Sequence, residues 1–322
     1  MSVHRVAILD DYQPAALKSA DWSAIADRVS IDVYSDTIAD EDLLVQRLAD
    51  YEIICAMRER TKFSASLMDR LPKLRLIATT GMRNFAIATA HARGKGITVS
   101  GTISHSSQST LEHIWAVILS TVRHIVTEDA NIKARNSQWQ TLIPSSLAGK
   151  TLGLIGVGRL GAQTANIAKA FNMKVIGWSP NLTPERAADA GVEFIATKVE
   201  LLQQSDIVSL HIVLSERTRH IINAADLALM RPTAYLINTS RGPLVDEDAL
   251  LEVLKAKGIA GGGFDVFDKE PLPLEHPLRG LENVTLSPHN GYVNDVSYKE
   301  FWEQTVENIA AFLDGEPIRV LS

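Results

Sequence analysis

One cysteine in 322 residues makes an intrachain disulfide impossible and leaves almost no route to a cysteine-based zinc centre. That residue, Cys55, stands in Tyr51-Glu-Ile-Ile-Cys-Ala-Met57 and reads as part of a buried strand. Basic charge is not in surplus either: 32 Lys and Arg against 38 Asp and Glu give a net −6, and the cations are scattered. The electrostatic footprint of a nucleic-acid binder is therefore missing. No window approaches the roughly 20 apolar residues of a spanning helix, and the start reaches Asp10 and Asp11 before any long apolar stretch. The expectation is a cytoplasmic protein, neither secreted nor membrane-inserted. Internal repeats and low-complexity tracts are absent as well.

What remains is ordinary globular composition, 46% hydrophobic and 22% charged, in a chain longer than one compact core usually organises. Two domains and a small-molecule partner are expected. Short β-rich runs at 5–9, 30–34, 53–56, 74–78 and 97–99 alternate with segments that begin on Asp or Ser and carry apolar residues at helical spacing. Such a rhythm predicts parallel strands joined by helical crossovers. A first doubly wound domain is expected to close near Gly101, followed by a Ser/Thr-rich stretch and a long apolar helix from Leu111 that connects the domains. A second series follows at 151–155, 174–177, 207–210, 234–238, 262–265 and 284–286, six strands that suit a nucleotide-binding sheet. After Gly291, apolar residues at helical spacing end at Gly315 and predict a helix that returns to the first domain. The expected fold is thus α/β with two doubly wound parallel sheets, a flavodoxin-like domain from 1–101 plus 292–322 and a Rossmann domain from 102–291.

Gly156-Val-Gly-Arg-Leu-Gly161 lies between a predicted strand and a predicted helix, with another strand after it, which makes the glycine pattern a strong dinucleotide signal. Gly156 permits the tight turn, Gly158 admits a pyrophosphate to the backbone, and Gly161 allows close packing; Arg159 and Leu160 complete the cofactor loop. Where the next strand ends, Ser179 occupies the position of the acid that usually holds the ribose 2′-hydroxyl. Without that carboxylate NADP is not repelled, but no Arg follows directly, the nearest being Arg186, so NAD and NADP both stay open.

Three segments place reactive groups just past strand ends: Asn238-Thr-Ser-Arg241-Gly-Pro, Phe264-Asp265-Val-Phe-Asp-Lys-Glu270-Pro, and Leu286-Ser-Pro-His289-Asn-Gly291. Together with the approach to the glycine loop they make the chain resemble the D-isomer-specific 2-hydroxyacid dehydrogenases. The resemblance implies hydride transfer between NAD(P)H and the carbonyl carbon of a 2-oxo acid, giving a D-2-hydroxy acid. It assigns catalysis to Arg241, Glu270 and His289. Charge that builds on the carbonyl oxygen needs a nearby acid, which His289 supplies near neutral pH. Glu270 would orient the imidazole and favour its cation, and Arg241 would bridge the substrate carboxylate and carbonyl oxygen.

The resemblance also places Asp265, Thr218 and His211 beside the cofactor, His211 through its ring or through its backbone alone. Thr110, with Glu112, matches a helix start beside the cofactor, and an N-cap is the plain alternative. In the first domain Thr80 and Gly81 match the loop whose amides receive the substrate carboxylate, although Thr79, Arg83 and Ala86 depart from the family pattern. Arg58 and Arg60 follow another strand end, where either could face the cleft, and solvated loop charges are the expected reading. His105, His113 and His124 show no metal-binding spacing, so no metal is expected. Homodimers are usual in the family, with the helix from Leu111 as the expected contact. Two other readings stand beside this one: a non-catalytic dinucleotide sensor on the same fold, and a formate- or phosphite-oxidising relative.

Overall fold

The computed structural model describes residues 3–103 and 108–321. His105 lies outside them. The chain divides into two compact units, Met1–Ser106 with Val293–Ser322, and Ser107–Tyr292. The first boundary falls a few residues beyond Gly101 because this stretch still bonds within the first unit: the Gly101 amide to the Arg319 carbonyl (2.9 Å), and Ile103 to the Gln304 side chain.

The first unit runs β1 (His4–Ile8), β2 (Val29–Val33), α1 (Glu41–Leu48), β3 (Ile53–Ala56), α2 (Ala65–Asp69), β4 (Leu76–Thr79), α3 (Thr89–Gly94) and β5 (Thr98–Ser100). Asp40 and Ser64 cap α1 and α2 by accepting from the amides of Leu43 and Leu67, which fixes where those helices start. The sheet order β2-β1-β3-β4-β5, parallel throughout, is the flavodoxin-like arrangement. Cys55 in β3 is buried, and burial pushes its thiol up to about 12, so it is an inert core residue.

The second unit runs α4 (Gln108–Val122), α5 (Ile125–Lys133), β6 (Thr151–Ile155), α6 (Arg159–Ala170), β7 (Lys174–Trp178), α7 (Pro184–Asp189), β8 (Glu193–Phe194) and α8 (Lys198–Gln204). It continues with β9 (Ile207–Leu210), α9 (Ala224–Leu227), β10 (Tyr235–Asn238), α10 (Glu247–Lys255), β11 (Gly261–Phe264) and β12 (Val284–Leu286). Its parallel sheet is ordered β12-β11-β10-β9-β6-β7-β8, seven strands rather than the six read from sequence. The extra strand, β8, is two residues long and pairs on one side only, too short to leave a period-2 pattern. Alternate residues feed two cores on opposite faces: Leu152, Leu154, Tyr235 and Ile237 join one, Ile155, Val208 and Leu236 the other. Strands buried on both faces explain the near-continuous apolar runs.

Helix α4 belongs to the first of those cores, with Ile114, Trp115 and Ile118 buried against β6 and β10 residues. Its apolar side is thus spent inside the unit. Exposed apolar surface lies instead on α5, which buries no residue, and on the segment after it, where Trp139 and Ile143 are 76% and 96% exposed.

The last helix is α11 (Asp295–Leu313), part of the first unit, with Phe301, Trp302 and Ile309 buried and the Trp302 ring tilted at 49° to that of Trp22, 6.1 Å between centroids. Among the described residues no helix is long and apolar enough to cross a membrane.

Candidate active site

Parallel strands present their carboxyl ends on one edge of the sheet, so β6, β9, β10, β11 and β12 deliver their following loops to one side of the second unit. After β6 the chain turns at Gly156, φ +100°, where a β-carbon would lie 2.5 Å from the His211 carbonyl. At Gly161 a β-carbon would lie 2.4 Å from the Gly156 carbonyl, so the α6 backbone packs directly on the turn. Gly158, the N-cap of α6, faces open space and supplies no side-chain cap. The first amides of a 12-residue helix are thereby left to an outside acceptor, which fits a dinucleotide pyrophosphate. Arg159 and Leu160 form the first helical positions behind that opening.

Ser179 follows β7, and the Leu182 amide returns to its carbonyl at 3.1 Å. Arg186, seven positions on, folds back so that Nη1 donates to the Asn181 carbonyl at 3.2 Å. Thr218 spends its hydroxyl within its own loop, donating to the Val213 carbonyl (2.7 Å) and accepting from the Ser215 amide (2.7 Å). His211 anchors to β6 through its amide, 2.8 Å from the Ile155 carbonyl. The residue is half-buried, but its Nε2 has no solvent contact and no partner among the described residues, and burial pushes the imidazole down to about 4.

The catalytic candidates lie on the loops after β10, β11 and β12. The Asn238 Nδ2 donates to the Arg241 carbonyl (2.9 Å) and its Oδ1 accepts from the Ser240 amide (3.1 Å), fixing the turn that carries Arg241. The Arg241 guanidinium donates from Nη1 to the Ser240 carbonyl at 2.7 Å. At Gly242 a β-carbon would meet the Phe267 carbonyl carbon at 2.1 Å, so only glycine lets the Arg241 loop pass against the loop that holds Glu270. Glu270 uses both oxygens: Oε1 accepts from the Phe267 amide (2.9 Å), and Oε2 lies 2.6 Å from His289 Nδ1. This short pairing commits Nδ1 of the ring and orients it.

Asp265 is buried at 1% exposure and accepts from the amides of Asn290 (2.8 Å) and Gly291 (3.0 Å), the residues directly after His289. Burial acts to raise its pKa, but the bonds from His113 and Ser287, the His113 charge and the Asn290 amide outweigh it and hold the carboxyl below its ordinary range. Thr110 lies in the same corner, its methyl 3.8 Å from where a Gly291 β-carbon would stand. It is inside α4 rather than at its N-cap, which removes the capping alternative. Sequence reading left His113, Ser287 and Asn238 out of this site. Among the described residues no cluster of His, Cys, Asp and Glu has the makings of a metal site.

In the first unit, both amides of the Thr80-Gly81 pair are engaged within the chain: Thr80 with the Ala56 carbonyl (3.1 Å) and Gly81 with the Thr102 hydroxyl (2.9 Å). A carboxylate taking the Gly81 amide must displace Thr102, a competition the motif does not disclose. Arg58 and Arg60 are not solvated charges. The Arg58 guanidinium sits where a Gly81 β-carbon would be, at 2.3 Å, while Arg60 lies 4.2 Å over the Tyr12 ring and donates to the Asp10 carbonyl. Both are half-buried because their planar groups find a backbone face and an aromatic face to lie on.

Residues 115–291, which include every loop of the second unit described above except the α4 start, match the family model of the D-isomer specific 2-hydroxyacid dehydrogenase NAD binding domain. The chain belongs to the D-isomer specific 2-hydroxyacid dehydrogenases. This dehydrogenase is 32% identical over 301 residues to a glyoxylate reductase of Korarchaeum cryptofilum, covering 91% of this chain and 90% of that one. Among solved structures it resembles a phosphoglycerate oxidoreductase from Vibrio cholerae at TM-score 0.90 and 32% identity, over 97% and 100% of the two chains. An acyclic imino acid reductase in complex with NADPH and D-Arg matches at TM-score 0.72 and 30% identity, over 99% and 100%. The dehydrogenase is accordingly an NAD(P)-dependent oxidoreductase that reduces a 2-oxo acid to a D-2-hydroxy acid.

Proposed function

We propose that this dehydrogenase reduces a small 2-oxo acid, glyoxylate first among the candidates, with His289 as proton donor, Glu270 as its orienting anion and Arg241 as the anchor of the substrate's carboxylate. The observation that carries the reading is the 2.6 Å pairing of Glu270 Oε2 with His289 Nδ1. It assigns the proton to be delivered to Nε2, the remaining ring nitrogen, and sets the imidazolium plane. When bound, the nicotinamide dinucleotide supplies the hydride. His289 gives its Nε2 proton to the carbonyl oxygen as charge grows there and becomes neutral; the Glu270 carboxylate stabilises the imidazolium before the transfer and favours its re-formation when solvent reprotonates the ring. Arg241 presents a planar fork to the carboxylate and draws charge from the carbonyl oxygen.

The dinucleotide is held by Gly156, Gly158, Arg159, Leu160 and Gly161 at the α6 N-terminus, with Asp265, Thr110, Thr218 and the His211 backbone beside it. Ser179 leaves room for a 2′-phosphate, and the return of Arg186 to Asn181 brings a cation to that turn, so both NADH and NADPH serve. A second copy of the chain covers α5 and the segment through Ile143. In support, Glu128 Oε1 accepts from the amides of Thr141 and Leu142 (both 2.9 Å), which holds in place an arm whose Trp139 and Ile143 stay exposed among the described residues.

The test is a panel of 2-oxo acids with NADH and NADPH in parallel, followed by cofactor absorbance, on the wild type and on His289→Ala. Glyoxylate turnover with both cofactors, lowered about 100-fold or more in the variant with cofactor affinity unchanged, is expected. Near-normal turnover in His289→Ala removes His289 from the mechanism.

A further inference from the structure

His289 occupies left-handed backbone, φ +55°, a conformation a side chain-bearing residue keeps only when its surroundings impose it. The imposing group is Asp265, whose two oxygens take the amides of the next two residues. Gly291 fits the same corner closely, since a β-carbon there would lie 3.3 Å from Asp265 Oδ2 and 3.7 Å from His113 Cδ2. The Asp265 carboxylate is itself held from the far side. His113 Nε2, on α4, lies 2.9 Å from Oδ1, and the same nitrogen is 3.1 Å from the Ser287 hydroxyl. A buried anion held by two backbone amides, an imidazole and the Ser287 hydroxyl has one low-energy orientation, and loss of the imidazole leaves Oδ1 short of a donor on the α4 side and loosens that orientation.

We propose that His113 is a positioning residue for the reaction: its Nε2–H fixes the Asp265 carboxylate, which fixes the Asn290 and Gly291 amides and so the turn that carries His289. The inference rests on the reading of His289 as proton donor. It makes α4, through one imidazole, part of the support of the proton-delivering loop, a task separate from contact with cofactor or substrate.

The experiment compares His113→Leu and His113→Gln, alone and combined with His289→Ala, in the full-length protein. Because a misplacement of about 1 Å at a reacting group costs up to about 100-fold, His113→Leu is expected to lower kcat about 10- to 100-fold while KM for the 2-oxo acid changes little. His113→Gln, which keeps an N–H at a similar reach, is expected to restore kcat to within about threefold. In the His289→Ala background His113→Leu is expected to have almost no further effect, because the group it positions is gone. The inference is overturned if His113→Leu keeps kcat within twofold, if Leu and Gln lose activity equally at equal folded fraction by circular dichroism, or if the Leu effect persists in full without His289. Normal turnover in His289→Ala alone overturns the underlying reading instead, so the two failures are told apart.

Discussion

Replacing His211 by Leu tests whether the imidazole beside the glycine turn is kept neutral by the fold. Burial pushes it down to about 4 from the 6.5 of an unfolded chain, a shift of about 2.5 pH units and so about 3 kcal/mol at most. A histidine held neutral in the fold contributes no penalty above pH 6.5. As pH falls from there, the unfolded chain takes a proton that the folded chain refuses, and stability is lost until both forms are protonated below pH 4. At pH 5 the loss amounts to about 2 kcal/mol. Among the described residues Nε2 has no partner, so His211→Leu sacrifices no hydrogen bond to them and the variant should match or exceed the wild type at pH 7.5. Urea unfolding of both proteins, followed by far-ultraviolet circular dichroism at pH 7.5 and 5.0, measures the change in the gap between them. A gap that widens by about 2 kcal/mol in favour of Leu is expected. A gap that stays constant would show that His211 titrates freely in the folded chain and that its ring is open to solvent.

Other substitutions probe the remaining roles. Glu270→Gln should move the alkaline limb of the pH–rate profile to lower pH, because the anion that favours imidazolium is gone; an unmoved profile would separate Glu270 from His289 in function. Arg241→Lys keeps the charge but loses the fork, so steady-state kinetics should give a higher KM and a lower kcat together, and wild-type values would place Arg241 outside the substrate site. Ser179→Asp should depress kcat/KM for NADPH about 10- to 100-fold more than for NADH. A wild type that already rejects NADPH as strongly as the variant would assign cofactor choice to another part of the pocket.

Much of the fold was legible because its signals are local. Apolar runs at 53–56, 151–155 and 207–210 became strands at those same residues, since strands buried on both faces need no partner sequence to be recognised. The glycine loop and the segments around Arg241, Glu270 and His289 announce themselves by residue type and order. What stayed hidden depends on contacts distant in sequence. His113 looks like an ordinary helix residue until Asp265, 152 positions later, is brought to 2.9 Å. Likewise nothing near Gly81 says that Thr102 occupies its amide, and nothing near Arg58 says that a glycine provides the face on which its guanidinium lies. The apolar aspect of α4 was legible, and the structure gives it β6 and β10 residues to pack on, which hydrophobic spacing alone does not name.

The first unit is made from two stretches of chain with the whole of Ser107–Tyr292 between them. During synthesis, then, the five strands of its sheet leave the ribosome well before α11, whose Trp302 packs on Trp22 and whose Tyr298 hydroxyl donates to Gln13 Oε1 at 3.0 Å. At about 5–20 residues per second the intervening unit takes about 10–40 s to make. For that interval the apolar surface reserved for Phe301, Trp302 and Ile309 stands open to water and to neighbouring nascent chains. The second unit, continuous in sequence, completes itself first. Holdase chaperones that recognise aromatic-rich surface thus have a defined window on this protein, which closes only when α11 emerges and covers the first unit's sheet.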